Sequence, residues 1–223
     1  MQIMGYFEAL GPISLLKDVL LKNSNRRCLI VGAGGETHLV SKFSDDIVGV
    51  NISLEELRRV KQLKTNLILG DAQSLPIKKC SVDFIVCKST LHHFDNLNVA
   101  MSEMNRVLRK GSYIVLYEPG LLNPIAFFGR KFFPTDIHES SERPFNPIGL
   151  RKLLIKHFQV ISEKDFFLFA HIIPILGKRL NFLGNHRFLS AIFDLDALFC
   201  KTFLRNFCWI MVFVLRKDHG VKN

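Results

Sequence analysis

Residues 28–37, CLIVGAGGET, decide the fold: four apolar residues, a glycine cluster, then Glu36 and Thr37. A short apolar run halted by glycines reads as a buried strand entering a tight turn. Between a strand and a helix, such a turn lets backbone approach a ligand closely and presents unpaired amides at the positive helix end. A dinucleotide-binding turn needs G-x-G-x-x-G and an acid about 20 residues further on. Here Thr37 stands at the third glycine, and Glu36 would repel a pyrophosphate. A P-loop fails as well, because no G-K-[ST] follows. The turn holds some other ligand, or it is a tight turn that binds nothing.

Outward from this turn, the alternation of strand and helix repeats. The pattern predicts a helix over Glu36–Phe43, a strand at Ile47–Asn51, and a capping box at Ser53-Leu54-Glu55-Glu56 opening a helix to about Leu63. Strands follow at Asn66–Leu69 and Val82–Cys87. A helix over Asn98–Leu108 has Arg109 and Lys110 at its negative end and Gly111 as its stop. Ser112–Tyr117 is the fifth strand. Further on, Pro147–Phe158 reads as helix, and Gln159–Leu168 and Phe207–Leu215 as strands. The expected class is α/β: a Rossmann-like, seven-stranded, mostly parallel sheet with helices on both faces and an antiparallel C-terminal hairpin. No linker-like stretch divides the chain, so residues 1–223 are expected to form a single domain. Its core is about 26–120, with substrate-covering and insertion elements over about 120–207.

Open sheets of this kind bind ligands beyond the carboxyl ends of their strands. Gly32–Gly35, Asn51, Gly70-Asp71 and Lys88–His93 all fall at such ends. Their agreement says more than any one of them.

Taken together, CLIVGAGGETHLV, VGVNIS, LILGDAQSLPI, VDFIVCKSTLHHFDN and MNRVLRKGSYIVLYEP resemble the class I S-adenosylmethionine-dependent methyltransferases of the ubiquinone/menaquinone-biosynthesis-like (type 11) group. The resemblance covers roughly residues 26–120. It implies S-adenosyl-L-methionine as cofactor, with Gly32, Ala33 and Gly34 flooring its methionine portion. It implies that Asn51 faces the ribose and Ile52 the adenine, that Asp71 takes the adenine amino group and that Ala72 donates its amide. Lys88 and Ser89 would flank the methionine. Three positions depart from the family's pattern. Ile30 replaces the acid two residues before the first glycine, Glu36 occupies a glycine position, and Asn51 replaces the ribose-binding acid. Glu36 is expected to restore part of the lost negative charge near the cofactor ammonium.

Methyl transfer from a sulfonium is an in-line displacement in which the protein supplies alignment and, for some acceptors, a base. His92 and His93, just past the fourth strand, are the candidate catalytic residues, since neutral imidazole is poised for proton transfer near physiological pH. The bland alternative has one of them packing or capping the next helix. His138 and Arg143 are candidate binders of an acidic group on the substrate.

The formal net charge is +10, which favours anionic partners or simply a solvated surface. The stretch from Phe166 to Phe207 mixes phenylalanines with Lys178, Arg179, Arg187, Lys201 and Arg205. It fits an amphipathic cover or a contact with an anionic membrane face, and equally an aromatic core. The preferred acceptor is a small molecule or a lipid-linked one. No aromatic RNA-binding motif or separate basic module is present, which argues against a nucleic-acid partner. No CxxC pair occurs among the five cysteines, so neither a zinc site nor a disulfide frame is expected. No apolar run reaches the roughly 18 residues of a membrane span. The expected location is the cytoplasm, with peripheral contact at the inner membrane face. Two other functions stay open: a non-catalytic cofactor-binding subunit that regulates or scaffolds a partner, prompted by Ile30 and Asn51, and an RNA methyltransferase, prompted by the charge.

Overall fold

The computed structural model describes residues 26–125, 127, 145–170 and 186–218, together with Val19 and Leu21. Seven strands make one sheet: β1 (Cys28–Val31), β2 (Ile47–Asn51), β3 (Asn66–Leu69), β4 (Val82–Lys88), β5 (Leu108–Pro119), β6 (Gln159–Phe166) and β7 (Ile210–Arg216). Their order is β3-β2-β1-β4-β5-β7-β6. The first five strands run parallel, whereas β7 pairs antiparallel with both β5 and β6. The expected sheet and hairpin are therefore present. Strand order reverses where β1 lies between β2 and β4, and it is beyond the carboxyl ends of the strands at such a point that open α/β sheets bind their ligands.

Alternation along the strands divides the core. Leu29, Val31, Ile85, Cys87, Ile114, Leu116 and Phe213 point to one face. There they meet Met101 and Met104 of α3 (Leu97–Val107) and Leu150 and Leu154 of α4 (Pro147–His157). Cys28, Ile30, Phe84, Val86, Val115 and Val212 point to the other face. These meet Val40 of α1 (Thr37–Val40), Leu57 of α2 (Leu54–Arg59) and Phe193 of α5 (His186–Phe199). Both faces are buried, which is why β1 and β4 read as continuous apolar runs.

Several boundaries differ from expectation. The first helix is only Thr37–Val40, because after Ser41 the chain closes into tighter turns, with Lys42 N donating to Leu39 O and Phe43 N to Val40 O. The second ends at Arg59. Half of its capping box forms: Ser53 Oγ accepts from Glu56 N at 3.3 Å, but the Glu56 carboxylate pairs with Arg59 Nη1 at 2.5 Å. Gly111 is not a helix stop. It lies within β5 at φ +73°, and the strand begins at Leu108, directly after the helix. Lys217 satisfies the helix's terminal carbonyls instead, its ammonium donating to Asn105 O and to Leu108 O at 2.8 Å. Arg109 pairs with Asp83. Among the described residues no helix is long and apolar enough to cross a membrane.

Candidate functional site

The loop after β1 is tied to β2: Gly32 N and Ala33 N both donate to Val50 O, at 2.8 and 3.0 Å. Gly32 sits at φ +78°, and a Cβ there would lie 2.1 Å from Thr90 Oγ1. Glycine is thus required twice, by conformation and by contact. Thr90 Oγ1 donates to Lys88 O at 2.9 Å, which holds the Thr90 side chain in place at the end of β4. The amide of Gly34 donates to Glu36 Oε1 at 2.7 Å. A Cβ on Gly34 would meet Glu56 Oε2 at 3.0 Å and Glu36 Oε2 at 3.7 Å, so two carboxylates converge on this buried glycine, whereas a Cβ on the exposed Gly35 would meet nothing within 4 Å. Burial pushes the Glu36 carboxyl above its ordinary range, opposed by its backbone hydrogen bonds and by Lys88.

At the end of β2, Asn51 uses both ends of its amide. Nδ2 donates to Ala33 O at 2.9 Å and Oδ1 accepts from Ser53 N at 2.8 Å. A carboxylate could not make the first bond. The asparagine therefore braces the glycine loop, which accounts physically for an amide at this position. Ile52 is 76% exposed, an isolated apolar surface beside that end. After β3, Asp71 Oδ1 accepts from Gln73 N at 2.8 Å, and Ala72 is buried. Gln73 in turn accepts from Asn96 N through Oε1, linking this loop to the start of α3. Lys88 is half-buried with its ammonium 5.6 Å from the centroid of the Tyr117 ring. Ser89 is exposed at φ +50°, its amide donating to Tyr117 O at 2.7 Å.

Beneath these loops lies a group that sequence reasoning did not single out. Glu118, near the end of β5, is 0% exposed. Its Oε1 accepts from Thr90 N and Leu91 N, both at 2.9 Å, and its Oε2 lies 2.8 Å from His92 Nδ1. An ionised carboxylate only accepts, so Nδ1 carries the proton in the neutral ring and Nε2 keeps its lone pair. His92 is buried, whereas His93 is exposed, the two rings 4.2 Å apart. They belong to a 3-10 turn, Leu91–His93, that starts on the Glu118 carboxylate. The signal for Glu118 was a charged residue closing the apolar run Ile114–Tyr117.

Gly32, Ala33, Gly34, Glu36, Asn51, Ile52, Asp71, Ala72, Lys88, Ser89, His92 and His93 thus all lie at the carboxyl ends of β1 to β4 or in the segments that follow them, at one end of the sheet. Ile30 is fully buried in the core on the α1 side. Glu36 and Glu56 are the carboxylates nearest Gly34. His138 and Arg143 lie outside the described residues. Among those described, no cluster of metal-ligating side chains occurs.

Comparison with known proteins agrees with this layout. The methyltransferase domain family matches residues 29–116. An uncharacterized methyltransferase of Bacillus subtilis, YcgJ, is 28% identical over 133 residues, 53% of each chain. A demethylmenaquinone methyltransferase of Staphylococcus aureus is 29% identical over 114 residues, 47% of each. The chain spans about half the length of the curated relatives it matches. The YcgJ crystal structure superposes with TM-score 0.61 over 93% of this chain and 98% of its own, at 20% identity. The S-adenosylmethionine-dependent methyltransferase from Mesorhizobium loti gives 0.61 over 92% and 96%, at 12% identity. SpnF, a [4+2]-cyclase, also gives 0.61, over 92% and 82% at 18% identity, so the fold by itself does not settle the reaction. Residues 29–116 of this chain thus match the methyltransferase domain family, and the chain shares the fold of solved methyltransferases.

Proposed function

We propose that this protein transfers the methyl group of S-adenosyl-L-methionine to a small-molecule or lipid-linked acceptor, and that the whole chain serves as one methyltransferase unit. The observation that carries the reading is the glycine loop, open at Gly35, with two carboxylates, Glu36 and Glu56, converging on Gly34 at the end of the sheet where strand order reverses. Bare backbone admits the close approach of a ligand, and paired carboxylates suit its cationic portion. The residues present fit the cofactor: Gly32–Gly34 as floor, Glu36 towards the ammonium, Ile52 as an apolar face for adenine, Asp71 and Ala72 for its polar edge. Asn51 offers one remaining lone pair on Oδ1 towards the ribose, because its amide protons are turned to the loop.

When bound, the cofactor supplies an activated methyl group. The protein's own contribution is alignment and proton handling. Glu118 holds the turn after β4 through two amides and fixes the tautomer of His92, so that Nε2 is the acceptor for an acceptor hydroxyl's proton. Glu118 is a positioning residue in this scheme. The similarity to demethylmenaquinone methyltransferase supports a lipid-linked acceptor, as does the exposed apolar set Leu195, Leu198 and Phe203 on and beside α5. Peripheral contact with an anionic membrane face of the cytoplasm agrees with that acceptor and with the net charge of +10.

Calorimetric titration with S-adenosylmethionine, followed by transfer of labelled methyl to candidate acceptors, tests the reading. Binding followed by transfer supports it. Binding without transfer to any acceptor favours the second reading, a non-catalytic cofactor-binding subunit, for which the specific observation is that Ile30 and Asn51 leave no acid at either family position. Failure to bind rejects both.

A further inference from the structure

Away from the glycine loop, the start of β7 carries two thiols in direct contact. Cys200, just past α5, and Cys208, just before β7, have their Sγ atoms 3.0 Å apart, with Cys208 S–H donating to Cys200. Cys200 S–H is in turn directed at Asp196 Oδ2, at 3.6 Å. Both thiols are buried, Cys208 completely and Cys200 with 6% of its surface open. The surrounding frame is stiff. Asp196 accepts the amides of Phe169 and Ala170 through Oδ1, at 2.7 and 2.9 Å, and that of Leu168 through Oδ2 at 3.2 Å. Asn123 Nδ2 donates to Leu168 O at 2.9 Å and to Phe207 O at 2.8 Å. The pair is held together by its neighbours from four separate chain segments.

We propose that Cys200 and Cys208 form a peroxide-sensitive modification site, with Cys200 as the attacking thiol, Cys208 as the resolving thiol and Asp196 as the proton acceptor. Contact with Cys200 and burial push the Cys208 thiol well up, so it remains protonated while Cys200 acts. Cys200 passes its proton to Asp196 and its sulfur attacks one oxygen of hydrogen peroxide. The O–O bond breaks, the leaving oxygen recovers the proton as water, and Cys200 becomes a sulfenic acid. Cys208 sulfur then attacks Cys200 sulfur, the S–O bond breaks, and the Cys208 proton leaves with the hydroxyl as a second water. Two thiols and one peroxide give one disulfide and two waters. Peroxide is the fitting oxidant because only a small molecule reaches Cys200 through so little open surface.

The sequence supplies its own assay. Trypsin cuts after Arg187, Lys201, Arg205 and Arg216, which separates Cys200 (residues 188–201) from Cys208 (residues 206–216). The reduced full chain is treated with hydrogen peroxide, denatured in an alkylating agent, digested and weighed. The expected result is a linked pair of these two peptides, two hydrogens lighter than their sum and separated by reductant, with Cys28 and Cys87 fully alkylated. Cys208→Ser should instead accumulate a Cys200 sulfenic acid that dimedone traps. If peroxide that fully oxidises the half-exposed Cys80 leaves the Cys200 and Cys208 peptides alkylated, the proposal is overturned. A bridge between any other pair, or Cys200 passing to sulfinic acid without linkage in the unaltered chain, overturns it equally.

Discussion

Glu118 Oε2 lies 2.8 Å from His92 Nδ1, with both side chains almost wholly removed from solvent. The same carboxylate holds the amides of Thr90 and Leu91, so one buried group sets both the path of the β4 loop and the orientation of the imidazole. Burial of a carboxylate is costly unless every lone pair facing the protein is used, and here three donors converge on it.

Glu118→Gln separates these two tasks. The glutamine carbonyl can still accept the two amides, but its NH2 then faces Nδ1 and forces the proton to Nε2. The fold should survive, cofactor affinity measured by calorimetry should change little, and turnover should fall by about 100-fold or more if His92 is the base. Glu118→Ala should instead destabilise the protein by about 1–3 kcal/mol for each stranded amide, read from a urea melt. Unchanged turnover in Glu118→Gln would remove His92 from proton transfer and leave the pair a packing feature.

Gly32→Ala tests the seam between the β1 and β4 loops. The new methyl group would sit 2.1 Å from Thr90 Oγ1 on a backbone at φ +78°. Neither problem relaxes locally, because Gly32 N is bonded to Val50 O and Thr90 N to Glu118. The left-handed conformation alone costs of order 1 kcal/mol in a non-glycine residue, and the contact adds to it. Adding Thr90→Ala should recover part of the lost melting temperature but not all, since the conformational part persists. Full recovery would mean that φ carries no strain at this position.

How much of this was legible in the sequence follows from range. β1, β2 and β3 were read to the residue, and β4 within one, because each apolar run is short and bounded by turn residues. The glycine loop, Asn51, Asp71 and the histidines were placed at strand ends by the same logic. Glu118 was passed over because its meaning depends on Thr90, Leu91 and His92, a strand away in the fold. Gly111 misled for a related reason: a glycine after a helix is usually its stop, but here Lys217, from the far end of the chain, caps the helix and frees the glycine for β5. The Cys200–Cys208 contact was likewise invisible to a search for CxxC spacing. In the sequence Asn51 is only a replacement for an acid, because its reason, the bond from Nδ2 to Ala33 O, joins two strand ends.

Asn51→Asp is therefore a test with two opposed outcomes. A carboxylate would lose the bond to Ala33 O and face that carbonyl with like charge, costing about 1–3 kcal/mol of stability in the cofactor-free protein. The same carboxylate accepts ribose hydroxyls more strongly than an amide does. Thermal melting should fall while the affinity for S-adenosylmethionine rises or holds. If stability is unchanged, the amide is not bracing the loop.

The Glu36 carboxyl gives a pH signature. Burial raises it from an ordinary value of 4.5, so the folded, cofactor-free protein holds this proton more tightly than the unfolded chain does. The linkage sign is then fixed. Below 4.5 both states are protonated and the group contributes nothing. As pH rises through 4.5 and up to the folded pKa, the unfolded state ionises first and stability is lost, a deficit that persists at neutral pH. Glu36→Gln should accordingly stabilise the cofactor-free protein at pH 7 and lose that advantage below pH 4.5. A bound ammonium beside the carboxylate reverses the balance, favouring the ionised form. Affinity for S-adenosylmethionine in the unaltered protein should therefore weaken as pH falls through the Glu36 pKa, and in Glu36→Gln it should be lower at pH 7 and flatter with pH. Calorimetry across pH 5–8 reads both slopes. Equal affinity and equal slope in the two proteins would show that Glu36 does not stand in for the acid missing at Ile30, leaving Glu56 as the remaining carboxylate beside Gly34.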